Sequence, residues 1–247
     1  MFSIARILTL GLQFLTLTAF FSTASGHAKS FEDSMAERTR ACTACHGDQG
    51  RAGPDGYYPR LAGKPAGYLY NQLQNFAQGR RHYGLMTRLV DPLSDAYLRE
   101  IATYFSELKL PYPAATQSAT RMPPAVLKRG QVLALQGDAS RRVPACTQCH
   151  GERLTGLQPH VPGLLGLPLD YLNAQLGAWQ THQRQALAPD CMAQMVERLN
   201  SSDLIAVATW LSTQSLPQDT SPTVTLPARG AVALPVCGSA PELKTAP

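Results

Sequence analysis

The sequence predicts an all-α protein made of two tandem copies of one small domain, followed by a short irregular C-terminal tail. Four landmarks recur in the same order. Cys42-Thr43-Ala44-Cys45-His46-Gly47 returns as Cys146-Thr147-Gln148-Cys149-His150-Gly151, and Pro59-Arg60-Leu61-Ala62-Gly63 as Pro162-Gly163-Leu164-Leu165-Gly166. Tyr68, Gln72 and Phe76 return as Tyr171, Gln175 and Trp179, and residues 101–105 as 207–211. The offsets, 103 to 106, are nearly constant, which marks a duplication. Apolar residues inside each copy fall at helical spacing. The length of 247 residues with 44% hydrophobic residues and a mean hydropathy of −0.15 suits one or two ordinary globular domains.

Residues 1–28 carry one charge, Arg6, then an apolar run from Ile7 to Phe21 and small residues up to Ala28, the pattern of an export signal cleaved after Ala28. The run is shorter than the roughly 20 residues a membrane span needs, so an uncleaved anchor is the less favoured reading. Residues 29–110 form the first domain. A helix is expected over about 31–42. Ser94 is the N-cap of the domain's last helix, Asp95 suits the dipole, and Leu98, Ile101, Ala102, Phe105 and Leu108 make the stripe before Pro111. Residues 111–124, rich in Pro, Ala, Thr and Ser, read as a linker. The second domain, 125–216, repeats the plan with a helix at 125–136 and a last helix capped by Ser201, its stripe being Leu204, Val207, Ala208 and Leu211. Residues 217–247, with six prolines and no helical pattern, are expected to be an extended tail.

The chemistry lies in C-x-x-C-H, which occurs twice, in register. This is the attachment signature of c-type haem. Two thiols three residues apart reach the two vinyl groups of one porphyrin, and the adjacent histidine binds the iron from the proximal side. Cys42, Cys45 and His46 would hold one haem, and Cys146, Cys149 and His150 a second. A zinc ribbon needs a second knuckle close to the first, a dithiol redox site needs a βαβ context, and plain disulfides leave the repeated histidine unexplained. Each fits worse.

With these motifs each half resembles a class I cytochrome c: helix, C-x-x-C-H, P-x-L-x-G, a methionine loop and a C-terminal helix. The tandem arrangement behind an export signal is similar to the dihaem cytochromes c4, over about residues 31–216. The resemblance implies His/Met ligation of both irons. Met86 is the methionine between motif and last helix in the first copy; the offset of 106 carries it onto Met192, and carries Leu89 onto Met195, a packing position. It also implies that the carbonyls of Pro59 and Pro162 accept a hydrogen bond from His46 and His150, fixing the tautomer. Arg60, Arg80 and Arg81 are candidates to pair with haem propionates.

Cys191 and Cys237 remain. Export places them in an oxidising compartment where they can pair, while the alternative makes Cys191 a thiolate ligand, as in some thiosulfate-oxidising dihaem enzymes. Nucleic-acid binding is set aside, because residues 29–112 carry eleven Lys/Arg against nine Asp/Glu and residues 141–216 five against five, with no basic footprint. The expectation is a periplasmic electron carrier, without bond chemistry of its own. It would take single electrons from a donor dehydrogenase or quinol-oxidising complex and pass them to an oxidase or reductase, with peripheral membrane association through such partners. A thiosulfate dehydrogenase or dihaem peroxidase, or the cytochrome subunit of a membrane complex, is the alternative.

Overall fold

The chain folds as an all-α protein with one short hairpin, and the computed structural model describes residues 32–53, 56–112, 122–228 and 230–245. The expected export signal and most of the expected linker lie outside these residues. No described helix is long and apolar enough to cross a membrane.

In the first copy, α1 (Met35–Arg38) and α2 (Arg40–His46) stand in place of the single helix expected over 31–42. The break falls at Thr39, fully buried, whose Oγ1 donates to the Met35 carbonyl at 2.7 Å while its backbone leaves helical geometry (φ −99°, ψ 10°). Such back-bonding bends helices. α2 then runs through both cysteines and ends on His46. α3 (Ala66–Ala77) packs on α5 (Asp95–Glu107), with α4 (Gly84–Val90) beside α3. Ser94 caps α5 by accepting from the Tyr97 N–H at 3.2 Å, and Leu98, Ile101, Ala102 and Phe105 are its buried stripe.

In the second copy, α6 (Pro124–Leu135) lies along α10 (Ser201–Thr213), and the motif occupies a separate short helix, α7 (Thr147–His150). The N-cap of α10 is Asn200, not Ser201: its Oδ1 accepts from the Asp203 N–H at 2.8 Å. The stripe of Leu204, Val207, Ala208 and Leu211 is buried as expected. A hairpin of β1 (Gly156–Leu157) and β2 (Val161–Pro162), then α8 (Leu169–Gln180) and α9 (Cys191–Glu197), complete the copy.

The copies meet reciprocally. The His82 N–H donates to the Gln183 carbonyl at 2.8 Å and the Gln185 N–H to the Arg80 carbonyl at 2.6 Å, around an antiparallel bridge between Arg81 and Arg184. The offset of 103 maps each partner onto the other, so the contact is isologous, a pseudo-two-fold within one chain. The hairpin adds an asymmetric contact. The Tyr68 N–H donates to the Pro159 carbonyl at 3.2 Å, and at Gly67 a Cβ would lie 2.3 Å from the His160 ring, so only glycine admits the approach.

The tail is not a free arm. The Thr223 N–H donates to the Gly156 carbonyl at 3.0 Å and its carbonyl accepts from the Gln158 N–H at 2.8 Å, while Cys237, Ala240 and Leu243 pack with Leu157 and Val161. Its loops bury Pro227, Cys237, Ala240 and Leu243, which composition alone does not reveal. Cys191 and Cys237 form a disulfide across a separation of 46 residues. Cys237→Ser is expected to lower stability by about 2–4 kcal/mol, the usual range for a loop of this size. Denaturant unfolding checks this: the wild type should lose the same amount when reductant is added, and the variant should lose nothing further.

Candidate functional site

Each C-x-x-C-H segment ends its helix on the histidine and turns away at once through glycine. Gly47 and Gly151 have φ of 75° and 85°, and a Cβ on Gly47 would lie 2.4 Å from the Ala52 carbonyl oxygen. The turn fixes the imidazole against the returning chain. His46 Nδ1 lies 2.8 Å from the Pro59 carbonyl and His150 Nδ1 2.8 Å from the Pro162 carbonyl. A carbonyl only accepts, so Nδ1 carries the proton in both rings and Nε2 presents a lone pair. Both histidines are 7% exposed, and burial holds both below the ordinary histidine value despite the carbonyls, which act the other way. A buried, neutral imidazole in a fixed tautomer is the form that binds a metal.

In the second copy one cavity brings together Cys146, Cys149, His150, Pro162 and Met192 between largely apolar walls from α6, α8, α9 and α10. Met195 also lines this cavity, so proximity alone does not separate the two methionines. Register does. Val90 and Val196, related by the same offset of 106 as Met86 and Met192, are both buried, at 3% and 1% exposure. In the first copy Met86 packs against Phe76, Val90 and Leu98, Cys42 is half-buried and Cys45 is exposed. Burial pushes the Cys146 thiol up to about 11 and that of Cys149 to about 12. At neutral pH they keep their protons. The donor set therefore fits covalently attached haem: two thiols, an Nε2 lone pair and a thioether in an apolar cavity.

The arginines divide. Arg60 is 4% exposed and spends its donors on the carbonyls of Ala62 (3.0 Å), Leu110 (2.5 Å) and Pro111 (3.0 Å), with its guanidinium 4.2 Å from the Tyr112 ring centre. It fastens the chain leaving α5, with one hydrogen on each of its three nitrogens engaged there. Arg80 donates to Asn75 Oδ1 at 2.6 Å and to Gln78. Arg81 sits in the pseudo-two-fold contact. It bonds Gln72 at 3.0 Å and Gln175 at 2.7 Å, while Arg184 bonds Gln175 at 2.7 Å and Gln72 at 3.1 Å. Each also stacks on its own copy's aromatic residue, Arg81 4.6 Å from Phe76 and Arg184 3.9 Å from Trp179. Arg184 is absent from the residues the sequence singles out, although Arg81 shifted by 103 lands on it. Lys64, which lines the second cavity from the first copy, leaves no such trace, since the same shift lands on Leu167. His82 and His182 are exposed, while His160, which also lines the second cavity, pairs through Nδ1 with Glu242 at 3.0 Å.

Several known proteins are similar to this chain along most of its length. A cytochrome c4 from Pseudomonas aeruginosa is 30% identical over 210 residues, covering 84% of this chain and 96% of the relative. The chain belongs to the dihaem cytochrome c4 family. The crystal structure of reduced cytochrome c4 from Pseudomonas stutzeri superposes with a TM-score of 0.58 at 30% identity, over 72% of this chain and 95% of that one. A thiosulfate dehydrogenase electron acceptor from Thiomonas intermedia is 35% identical over 216 residues, covering 86% of this chain and 91% of the relative. A thiosulfate dehydrogenase structure from Marichromatium purpuratum matches with a TM-score of 0.60 at 32% identity, over 70% of this chain but 36% of that one. No protein-family profile matches the chain. As a cytochrome c4, the protein is a dihaem electron carrier, and its cofactor is covalently bound c-type haem.

Proposed function

We propose that this chain is a periplasmic cytochrome c4 that accepts single electrons from a thiosulfate dehydrogenase and passes them to a terminal oxidase or reductase. The domains 29–110 and 125–216 each hold one haem, through Cys42 and Cys45 and through Cys146 and Cys149. His46 and Met86 ligate the first iron, and His150 and Met192 the second. The observation that carries this reading is the pair of matching imidazole–carbonyl bonds, each behind its own pair of cysteines. Haem held there would supply one-electron redox chemistry. The chain's residues orient the imidazoles, keep water from the second cavity and set the two potentials. Support for the donor comes from the named role of the Thiomonas relative. Two haems also hold the electron pair that sulfur-oxyanion oxidation releases.

The enzyme reading needs an open or labile iron. The Cys191 sulfur is bonded to Cys237, which removes the thiolate that would have made the second centre resemble a thiosulfate-oxidising site. In the test, purified protein is mixed with thiosulfate and catalytic thiosulfate dehydrogenase, and the reduced α band is followed. Both haems are expected to reduce with the dehydrogenase present and neither without it. Reduction by thiosulfate alone would restore the enzyme reading. Reduction by a quinol-oxidising complex but not by the dehydrogenase would replace the donor.

A further inference from the structure

The structure assigns to Lys64 a role that crosses between the copies: from the first copy, its ammonium positions and charge-balances a carboxylate of the second haem, and so raises the second haem's reduction potential. This rests on the haem-binding reading above. Lys64 sits between the P-x-L-x-G segment and α3, 6% exposed, yet it lines the cavity that contains Cys149, His150 and Met192. Among the described residues its ammonium has no hydrogen bond and no ion pair. The ammonium keeps accessible surface in the empty cavity, and a haem filling that cavity would enclose it, where a charge is retained only beside an opposite one.

The carboxylate that lines the cavity, Asp190, already accepts from the N–H groups of Ala186 and Ala193 and from Trp179 Nε1, and the basic residues around Tyr68 add to the demand. Lys64, Tyr68 and Arg184 line the same cavity, and although burial alone would push Tyr68 up, Arg184, Arg81 and Lys64 together pull it below its ordinary value. The two guanidiniums bond amide and hydroxyl oxygens only. A c-type haem brings two propionate carboxylates, the class of anion that this cluster lacks.

The device points one way. Arg81 and Arg184 are related by the duplication and each bonds Gln72 and Gln175, whereas the position equivalent to Lys64 is Leu167, which is apolar and 8% exposed. The first haem therefore receives no matching cation from the second copy. A cation facing a redox centre across a low-dielectric cavity favours the reduced form, which carries one positive charge fewer, by on the order of tenfold in the reduced-to-oxidised ratio. Lys64 thus separates the potentials of two centres that the duplication would otherwise leave similar.

The test is a spectroelectrochemical titration of the holoprotein and its Lys64→Met and Lys64→Arg variants, each shown by mass to carry two haems. Lys64→Met is expected to lower one midpoint by about tenfold in that ratio, or 59 mV for a one-electron couple, and to leave the other in place. Lys64→Arg, which keeps the charge, should restore most of the shift. The shifted midpoint is assigned to the second haem if it is also the one displaced by Met192→Leu. Unchanged midpoints, equal shifts of both, or an arginine variant that behaves like methionine would overturn the assignment. A wild-type mass lacking two haems would instead overturn the haem-binding reading.

Discussion

Met192→Leu is expected to convert one of the two haems from low-spin to high-spin and to remove half of the low-spin signal, while Met195→Leu leaves both haems low-spin. Both side chains line the second cavity, so the outcome turns on register. Val196 is buried at 1% exposure as Val90 is at 3%, which anchors α9 and α4 at the same offset that relates Met192 to Met86. Met195 then takes the place of Leu89, which is expected to pack but is 45% exposed and so lies outside the first copy's core. The leucine variant keeps both thioether bonds and the His150–Pro162 hydrogen bond, so the haem stays attached. Loss of the thioether also lowers that centre's potential, since methionine ligation raises it. Electron paramagnetic resonance of the oxidised protein, with haem quantified by mass, reads the result directly. High-spin iron in Met195→Leu and low-spin iron in Met192→Leu would show that α9 is set one turn differently from α4.

The duplication makes most of this site legible in the amino-acid sequence. A residue whose neighbours are all supplied by its own copy appears twice, as the two cysteine pairs, the histidines, the prolines and the buried stripes of α5 and α10 do. Arg184 is legible in the same way, as the image of Arg81. What stays hidden depends on contacts between different segments. Arg60 reads as a propionate partner because the sequence does not show the carbonyls of Leu110 and Pro111 returning to its guanidinium. Lys64 escapes the repeat because its image is a leucine. The β1–β2 hairpin and the packing of the tail depend on Gly67, Thr223 and Cys237 meeting the second copy from distant places in the chain. A short helix break set by one threonine, or a cap displaced by one residue from Ser201 to Asn200, is a local competition between neighbouring side chains of similar capping strength.

Asp203→Ala is expected to destabilise the second copy by about 1.5–3 kcal/mol at neutral pH, the scale for charged hydrogen bonds to a buried carboxylate whose arginine partners stay partly exposed. Asp203 is 4% exposed near the start of α10. One oxygen accepts from Arg129 of α6 at 2.7 Å and the other from Arg141 at 2.6 Å, and both arginines also bond Asp138, at 3.0 and 2.8 Å. The four charges tie α6, the 138–141 loop and α10 into one unit beside the cysteine motif. The position equivalent to Asp203 in the first copy is Tyr97, so the effect belongs to the second copy alone. Burial by itself would raise Asp203, but Arg129 and Arg141 hold it below the usual carboxylate value; Ser140, Arg141 and Arg129 do the same for Asp138. A depressed native value means that the unfolded chain takes up protons first. The network's contribution is complete above the unfolded carboxylate value near 3.9 and is lost as pH falls below it. Both tryptophans, Trp179 and Trp210, lie in the second copy, so fluorescence-detected urea unfolding reports on that copy. The wild-type midpoint is expected to fall as pH drops from 5 to 3, and Asp203→Ala should begin lower and depend less on pH. A variant whose midpoint at pH 7 matches the wild type would mean that Asp138 alone satisfies both arginines.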